Sequence, residues 1–420
     1  MSLRLVRCPY CGKRFNVAGV PAGTRLRCGT CVAVLTVPRR EETPEPPSAR
    51  SLILQIVTGA AAGLAAAWMI AALLRPDPEP PAGPGRSSER TAAERAVEKS
   101  SAVPAWAGPS EQMASYQDDP YGRALRRLQQ EFGSRFFYHK AKPYLIALEA
   151  SPRYHATMVM EDYAQRMEVL YAAFRREFGQ ALELPEVEPA LVVLVFNSRE
   201  SFDRYFFERD RKRMSDSIKG IYEYDRERRR IVVYHDYNVP YDVLFHEGVH
   251  QLVHYYTLRE TEGRRVFGSY WLQEGLGTYF EGLRRGEEGG FFDPAGGRDR
   301  LPTLKQALPP RVGGKGDFIP LNVLVGLTVD HFWQWFEEGM VAEPEQTTQK
   351  ARLYYAQSWA LVHFLRHRGG AHAKVLDEYL RREISGRGGK EAFEDLVRHH
   401  LKMELAELEE EFIAYIRNLR

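Results

Sequence analysis

The larger part of the chain predicts an α+β fold, a small mixed β-sheet followed by a helical part. Three observations carry that expectation. A continuous β-branched run, "ALVVLVF" at Ala190–Phe196, lies between Pro189 and Asn197 as a buried strand would. Apolar residues recur at helical intervals through most of the chain after Tyr241. The 420 residues are 44% hydrophobic and 12% aromatic, ample for a packed core, and they show no internal repeat.

A separate module precedes that fold. Cys8, Cys11, Cys28 and Cys31 are the only cysteines, set out as "CPYC", sixteen residues, then "CGTC". Two such knuckles close four thiolates around a tetrahedral, structural Zn²⁺, with a pair of disulfides as the rival in an oxidising compartment. Through "CPYCGKRFNV", "AGTRLRCGTC" and "AVLTVP", residues 1–38 resemble the small zinc-ribbon modules at the head of many bacterial membrane proteins. Net charge is +2, yet residues 1–50 hold nine Lys/Arg against three Glu, so the basic character is local. A protein partner of the ribbon fits this charge. A nucleic-acid role is not favoured, because no row of stacking aromatics accompanies it.

From Leu52 to Leu74, 23 residues carry no charge, enough to span a hydrocarbon core of about 30 Å. One transmembrane helix is expected, a cleaved signal peptide or a buried soluble helix being the rivals. Its flanks balance, Arg39, Arg40 and Arg50 against Arg75, Arg86 and Arg90, so charge leaves the orientation open. A thiolate site favours the reducing side and a long cysteine-free domain tolerates the oxidising side, which places the N-terminus in the cytoplasm and the bulk of the chain outside. Residues 75–112, rich in Pro, Ala, Ser, Glu and Arg, read as a disordered linker.

Residues 113–420 read as the globular domain. The spacing predicts a helix over Met158–Gly179, ended by its glycine, then the strand Ala190–Phe196. Arg229–Tyr237 reads as a second strand, with "GIYEYDRERR" as hairpin partner and turn. A helix follows, with Pro240 and Asp242 in first-turn positions. "YWLQEGLGTYFEGLRR", "DHFWQWFEEG", "YYAQSWALVHFLRHRGG" and the closing "EAFEDLVRHHLKMELAELEEEFIAYIRNL" also read as helices. The charge runs "ERDRKR" and "DRERRR" read as solvated faces or turns.

Chemistry concentrates in "LFHEGVHQLVH". His246 and His250 are four residues apart on a helix, which sets both imidazoles on one face a turn apart, as two zinc ligands require. Glu247 can then reach a water at the metal without ligating it. A catalytic zinc needs a third ligand. The metzincin solution would place glycine at 253 and histidine at 256, where this chain has Val253 and Tyr256. The other usual solution, a glutamate on a following helix, is offered by Glu274 of "WLQEGLGTYFEG".

"HEGVH" followed by "WLQEGLGTYFE", with "LVFNSRESFDRYF" before and "YYAQSWALVHFL" after, resembles the gluzincin metallopeptidases, above all the membrane-tethered bacterial members of the peptidase-MA-like group. That resemblance, over roughly residues 190–365, implies His246, His250 and Glu274 as ligands of a catalytic Zn²⁺ and Glu247 as general base. It implies a downstream tyrosine that stabilises the oxyanion, Tyr355 being the candidate and Tyr354 its neighbour. It also implies an edge strand near "RRIVVYHDY" that pairs with extended substrate backbone, and hence a peptide or protein substrate. Two imidazoles and one carboxylate leave the metal at a net charge of about +1, enough to bring a bound water's pKa towards ~7.

Thr278 and Glu281 share a face with Glu274 and could orient the ligand imidazoles, a solvated helix charge being the alternative for Glu281. His254 reads as a surface or supporting residue rather than a fourth ligand, since catalytic zinc keeps a position open. Gly248 inside a helix suggests close packing or substrate approach. "HFWQWF", His235 and His363 read as structural. The expected function is membrane-anchored, zinc-dependent peptide-bond hydrolysis. The alternative is a catalytically inactive peptidase-like domain that binds peptide or acts as a sensor coupled to the ribbon.

Overall fold

In a computed structural model, the described residues are 121–419, apart from short stretches at 152–155, 212–213, 215–217, 226–227, 237–240, 264–267, 287–288, 294–296 and 310–315, together with 5–7, 14–16, 20, 24–27 and 34–36. The four cysteines, the 52–74 segment and the 75–112 linker lie outside them. Among the described residues no helix is long and apolar enough to cross a membrane. Near the N-terminus β1 (Leu5–Arg7) pairs antiparallel with β2 (Arg14–Asn16), and β3 (Arg25–Arg27) with β4 (Val34–Thr36). In sequence, each hairpin brackets one pair of cysteines.

The domain proper begins with α1 (Gly122–Phe132) and continues through β5 (Phe136–Ala141), β6 (Tyr144–Glu149), α2 (Ala156–Phe174), β7 (Leu191–Phe196), α3 (Arg199–Asp210), β8 (Gly220–Tyr222) and β9 (Arg230–Tyr234). These strands form one mixed sheet in the order β5-β6-β7-β9-β8. β6, β7 and β9 run parallel, and the two outer strands are antiparallel to their neighbours. The class is therefore α+β, but the expected layout of strands first and helices later is corrected: α1 precedes the sheet, and α2 and α3 alternate with its strands.

Burial on both faces explains the unbroken apolar run of β7. Val193 and Val195 join the large core under α2 and the later helices, while Val192, Leu194 and Phe196 join a smaller core with Leu125, Leu128, Phe202 and Phe206 from α1 and α3. A strand buried on both sides has no polar alternation to show. α2 runs on into a wider π turn over Arg175–Gly179, so the helical stretch stops at Gly179 as its sequence suggests.

Arg230–Tyr234 is not an edge strand. β9 lies between β7 and β8, and the edge is the three-residue β8, which pairs Gly220 with Val233 and Tyr222 with Ile231. The hairpin partner is therefore the strand that lies at the margin.

The helical part comprises α4 (Asp242–Glu260), α5 (Tyr270–Phe280), α6 (Leu301–Ala307), α7 (Leu321–Leu324), α8 (Val329–Ala342), α9 (Pro344–Arg368), α10 (Gly370–Ile384), α11 (Lys390–Leu401) and α12 (Leu405–Asn418). Two sequence expectations are corrected here. "EGLRR" does not extend α5, because the chain turns at Gly282 and Leu283–Gly286 becomes β10, paired antiparallel with β11 (Gly289–Phe292). The closing helical segment is two helices, broken at Lys402, whose φ of 58° is left-handed. From "HFWQWF", Phe332, Trp333 and Phe336 are core residues.

Gly248 marks a close approach of α4 to α2. A Cβ there would lie 2.2 Å from Leu170 Cδ2 and 3.3 Å from Met167 Cε. Close helix packing, rather than helix propensity, explains this glycine.

Candidate metal centre

α4 is buried along nearly its whole length, histidines and glutamate included, so its polar groups must be satisfied inside the protein. His246 and His250 stand 4.7 Å apart between ring centroids, at 77°. α5 brings Glu274 to them: its Oε2 lies 3.3 Å from His246 Nε2 and 3.8 Å from His250 Nε2. The three ligand atoms fall within 4.8 Å of one another, all in buried residues. Zn²⁺ with bonds of roughly 2.0–2.1 Å sets neighbouring tetrahedral ligands about 3.3 Å apart. The 3.3 Å His246–Glu274 separation matches that edge, and the 3.8 Å His250–Glu274 separation is longer.

His246 Nε2 and Glu274 Oε2 are buried without a hydrogen-bond partner among the described residues. At 3.3 Å they attract as an ion pair, without the alignment of a hydrogen bond. Such orphaned buried atoms are costly unless something occupies the point between them. The donor set, two imidazoles and a carboxylate, suits Zn²⁺ with one position left over.

Glu281 lies at the start of the turn after α5. Its Oε1 is 2.8 Å from His246 Nδ1, and since a carboxylate accepts, Nδ1 carries the hydrogen and Nε2 is turned to Glu274. Its Oε2 takes a 2.5 Å contact from the Arg300 guanidinium. Thr278, placed by spacing on the same face, does not help to orient the imidazole, since its Oγ1 is buried without a hydrogen-bond partner among the described residues.

Glu247 does not join the ligand trio. Its Oε2 accepts a 2.7 Å hydrogen bond from the backbone N–H of Tyr222, on the edge strand β8. Tyr222 also places its hydroxyl 2.8 Å from His254 Nδ1, so His254 is a buried support of that strand and not a fourth ligand. Tyr224 follows just beyond that strand, its ring 5.1 Å from His254 and 6.5 Å from His250.

Tyr355, on α9, reaches the site indirectly. Its hydroxyl is 2.7 Å from that of Tyr270, which lies one helical turn before Glu274 on α5. Tyr354 points elsewhere, its hydroxyl 3.4 Å from the Leu324 carbonyl.

Charge is concentrated here, and the titration of the groups follows from it. Burial alone would depress the His246 pKa, but the carboxylates of Glu274, Glu281 and Glu247 reverse that and lift it to about 10. Burial and the neighbouring His246 charge hold His250 well below the usual histidine range. Burial lifts Glu247 to about 7, with the Glu274 charge adding to it and His246 pulling back. Burial also raises Glu274, although His246 opposes it. For Glu281 burial is outweighed by Arg300 and His246, and its pKa falls.

α5 fits against His246 only because residue 277 is glycine: a Cβ there would come within 2.9–3.0 Å of three atoms of the imidazole. Replacing Gly277 by Ala is expected to cost about 1–3 kcal/mol through overpacking, and to weaken metal binding because the ring must turn. Chemical denaturation of the metal-free protein, paired with a zinc titration, measures both.

Two further histidines read as structural have partners. His363 stacks on His367 with centroids 4.1 Å apart and reaches the Tyr415 hydroxyl at 2.8 Å. His235 is buried, packing edge-on against Tyr163 at 5.9 Å. In the charge runs Glu208 and Arg211 are exposed and the Arg228 N–H bonds the Asp225 carbonyl as in a turn, as read from the sequence, so the correction falls on one arginine of each run. Arg230 is 3% exposed, bonded to Glu223 and Glu131, and Arg209 contacts Glu223 as well. These arginines are part of a buried network behind β8 rather than a solvated face.

No protein-family profile matches the chain, and no curated protein matches it.

Proposed function

We propose that residues 113–420 form a zinc-dependent metallopeptidase, tethered to a membrane by the 52–74 segment and preceded by a cytoplasmic zinc ribbon. The observation that carries this reading is the convergence of His246, His250 and Glu274, two of whose ligand atoms are buried and orphaned, beside a carboxylate that stays out of the trio. His246 and His250 would hold the ion through Nε2 and Glu274 through Oε2. When bound, Zn²⁺ supplies Lewis-acid polarisation of a carbonyl and of water.

The remaining work belongs to the chain. Glu247, steadied through Oε2 by the Tyr222 N–H, keeps its second oxygen for taking a proton from water and passing it to the leaving amine. A pKa lifted to about 7 suits a group that must both accept and return a proton near neutrality. The Tyr270–Tyr355 pair supplies a hydroxyl donor for developing negative charge. The short edge strand β8, whose Tyr222 N–H is held by Glu247, lies beside the centre and favours an extended peptide as substrate.

The direct test is zinc titration of the full-length protein and of a His250→Ala variant, followed by incubation with a mixed peptide library. Wild type is expected to bind one zinc more than the variant and to cleave peptides. Because His246 keeps its proton up to about 10, binding at pH 7 must expel it. About one proton should be released per zinc, and affinity should rise about tenfold per pH unit around neutrality. Equal zinc in both proteins would overturn the metal centre. Zinc binding without cleavage would select the peptide-binding alternative.

A further inference from the structure

Arg300 ends a short 3-10 turn, Arg298–Arg300, immediately ahead of α6. Nothing in its sequence surroundings connects it to the metal centre, yet its side chain is only 10% exposed and lies against the equally buried Glu281. One arm of the guanidinium reaches Glu281 Oε2 at 2.5 Å, and the other holds the exposed Asp299 at 3.1 and 3.2 Å. Glu281 uses its remaining oxygen on His246 Nδ1. A continuous line of contacts thus runs from a surface carboxylate, through Arg300 and Glu281, to a candidate zinc ligand.

The site contains an excess of acid. Glu247, Glu274 and Glu281 are all buried within it. A carboxylate that orients a ligand imidazole normally also lends it negative charge. Here that charge would add to Glu274 and Glu247 in a desolvated space.

We propose that Arg300 is a positioning residue of this centre: it fixes the Glu281 carboxylate against His246 and neutralises it, so that the imidazole is oriented without a further negative charge at the metal. The inference rests on the zinc reading given above. Lysine is a poor substitute, since an ammonium on a flexible stem cannot hold Glu281 and Asp299 on two arms at fixed spacing.

The test compares full-length wild type, Arg300→Met, Arg300→Lys and His250→Ala by zinc competition against a chelator, with Co²⁺ absorption spectra recorded alongside. Arg300→Met is expected to weaken zinc binding by about 10–100-fold, the range for losing a partner behind a ligand, and to alter the Co²⁺ spectrum. Arg300→Lys is expected to fall between, since it restores charge without the fork. Urea unfolding of each metal-free protein reports whether the fold survives. If Arg300→Met and Arg300→Lys both bind zinc like wild type, the inference is overturned. Should Arg300→Met fail to fold, wild-type affinity and spectrum in Arg300→Lys overturn it alone. If His250→Ala keeps the same zinc as wild type, it is the metal centre itself that fails.

Discussion

Replacing Glu247 by Gln is expected to lower peptide hydrolysis by about 10²–10⁴-fold while leaving zinc stoichiometry unchanged. The two effects separate for a structural reason. Glu247 is buried beside the ligand trio but is not one of it, and its structural contact is a hydrogen bond accepted from the Tyr222 N–H. A glutamine carbonyl accepts that same bond, so β8 stays in place. What is lost is the capacity to take and return a proton. Initial rates with a cleavable peptide, measured beside metal content, check the prediction, and a variant as fast as the parent would sink the assigned role.

The second large effect concerns stability. Glu383, on α10, is 6% exposed and accepts three hydrogen bonds: from the Ser269 N–H at 2.8 Å, the Ser269 hydroxyl at 2.6 Å and the Gly389 N–H at 3.0 Å. Ser269 is the residue at which α5 starts, and it also contacts the Tyr379 hydroxyl, while Tyr379 stacks on Trp271. Cutting Glu383 to Ala strands these donors inside the protein, and an unsatisfied buried donor costs about 1–3 kcal/mol. A loss on the order of 3 kcal/mol or more is expected in chemical denaturation, with Glu383→Gln losing less because one acceptor remains. An unchanged unfolding midpoint in Glu383→Ala would mean that the clasp adds nothing to stability. Zinc affinity should fall in parallel, since the same helix carries Glu274.

What could be read in the sequence follows from what is local. The four-residue spacing of His246 and His250 is a property of one helix, and the structure places those rings together. Glu274 needed a second helix, and "WLQEGLGTYFEG" supplied it as a candidate that now lies 3.3 Å from His246. Tyr270 was within reach of the same reasoning, one turn before Glu274 on the same helix face. Tyr222 was not, because it contributes a backbone N–H, which no side-chain pattern announces. Arg300 follows Glu281 by nineteen residues across a hairpin and irregular chain, so no periodicity joins them. Arg209 and Arg230 read as solvated because they stand in charged runs, whereas pairing with Glu223, and for Arg230 with Glu131 99 positions away, buries them. β10 was hidden by its position directly after a helix, with Gly282 the one local sign that the helix had ended.

The clasp between Ser269 and Glu383 bears on the order in which the site comes into being. A chain emerging from its N-terminus presents His246 and His250 early, yet the start of the helix that carries Glu274 is held by a residue 114 positions further on. Until α10 has been made, the three ligands belong to a chain whose second half cannot hold them in register. The candidate metal centre is therefore completed late, and under the proposed function a nascent protein would be spared its own hydrolysis while still unfolded.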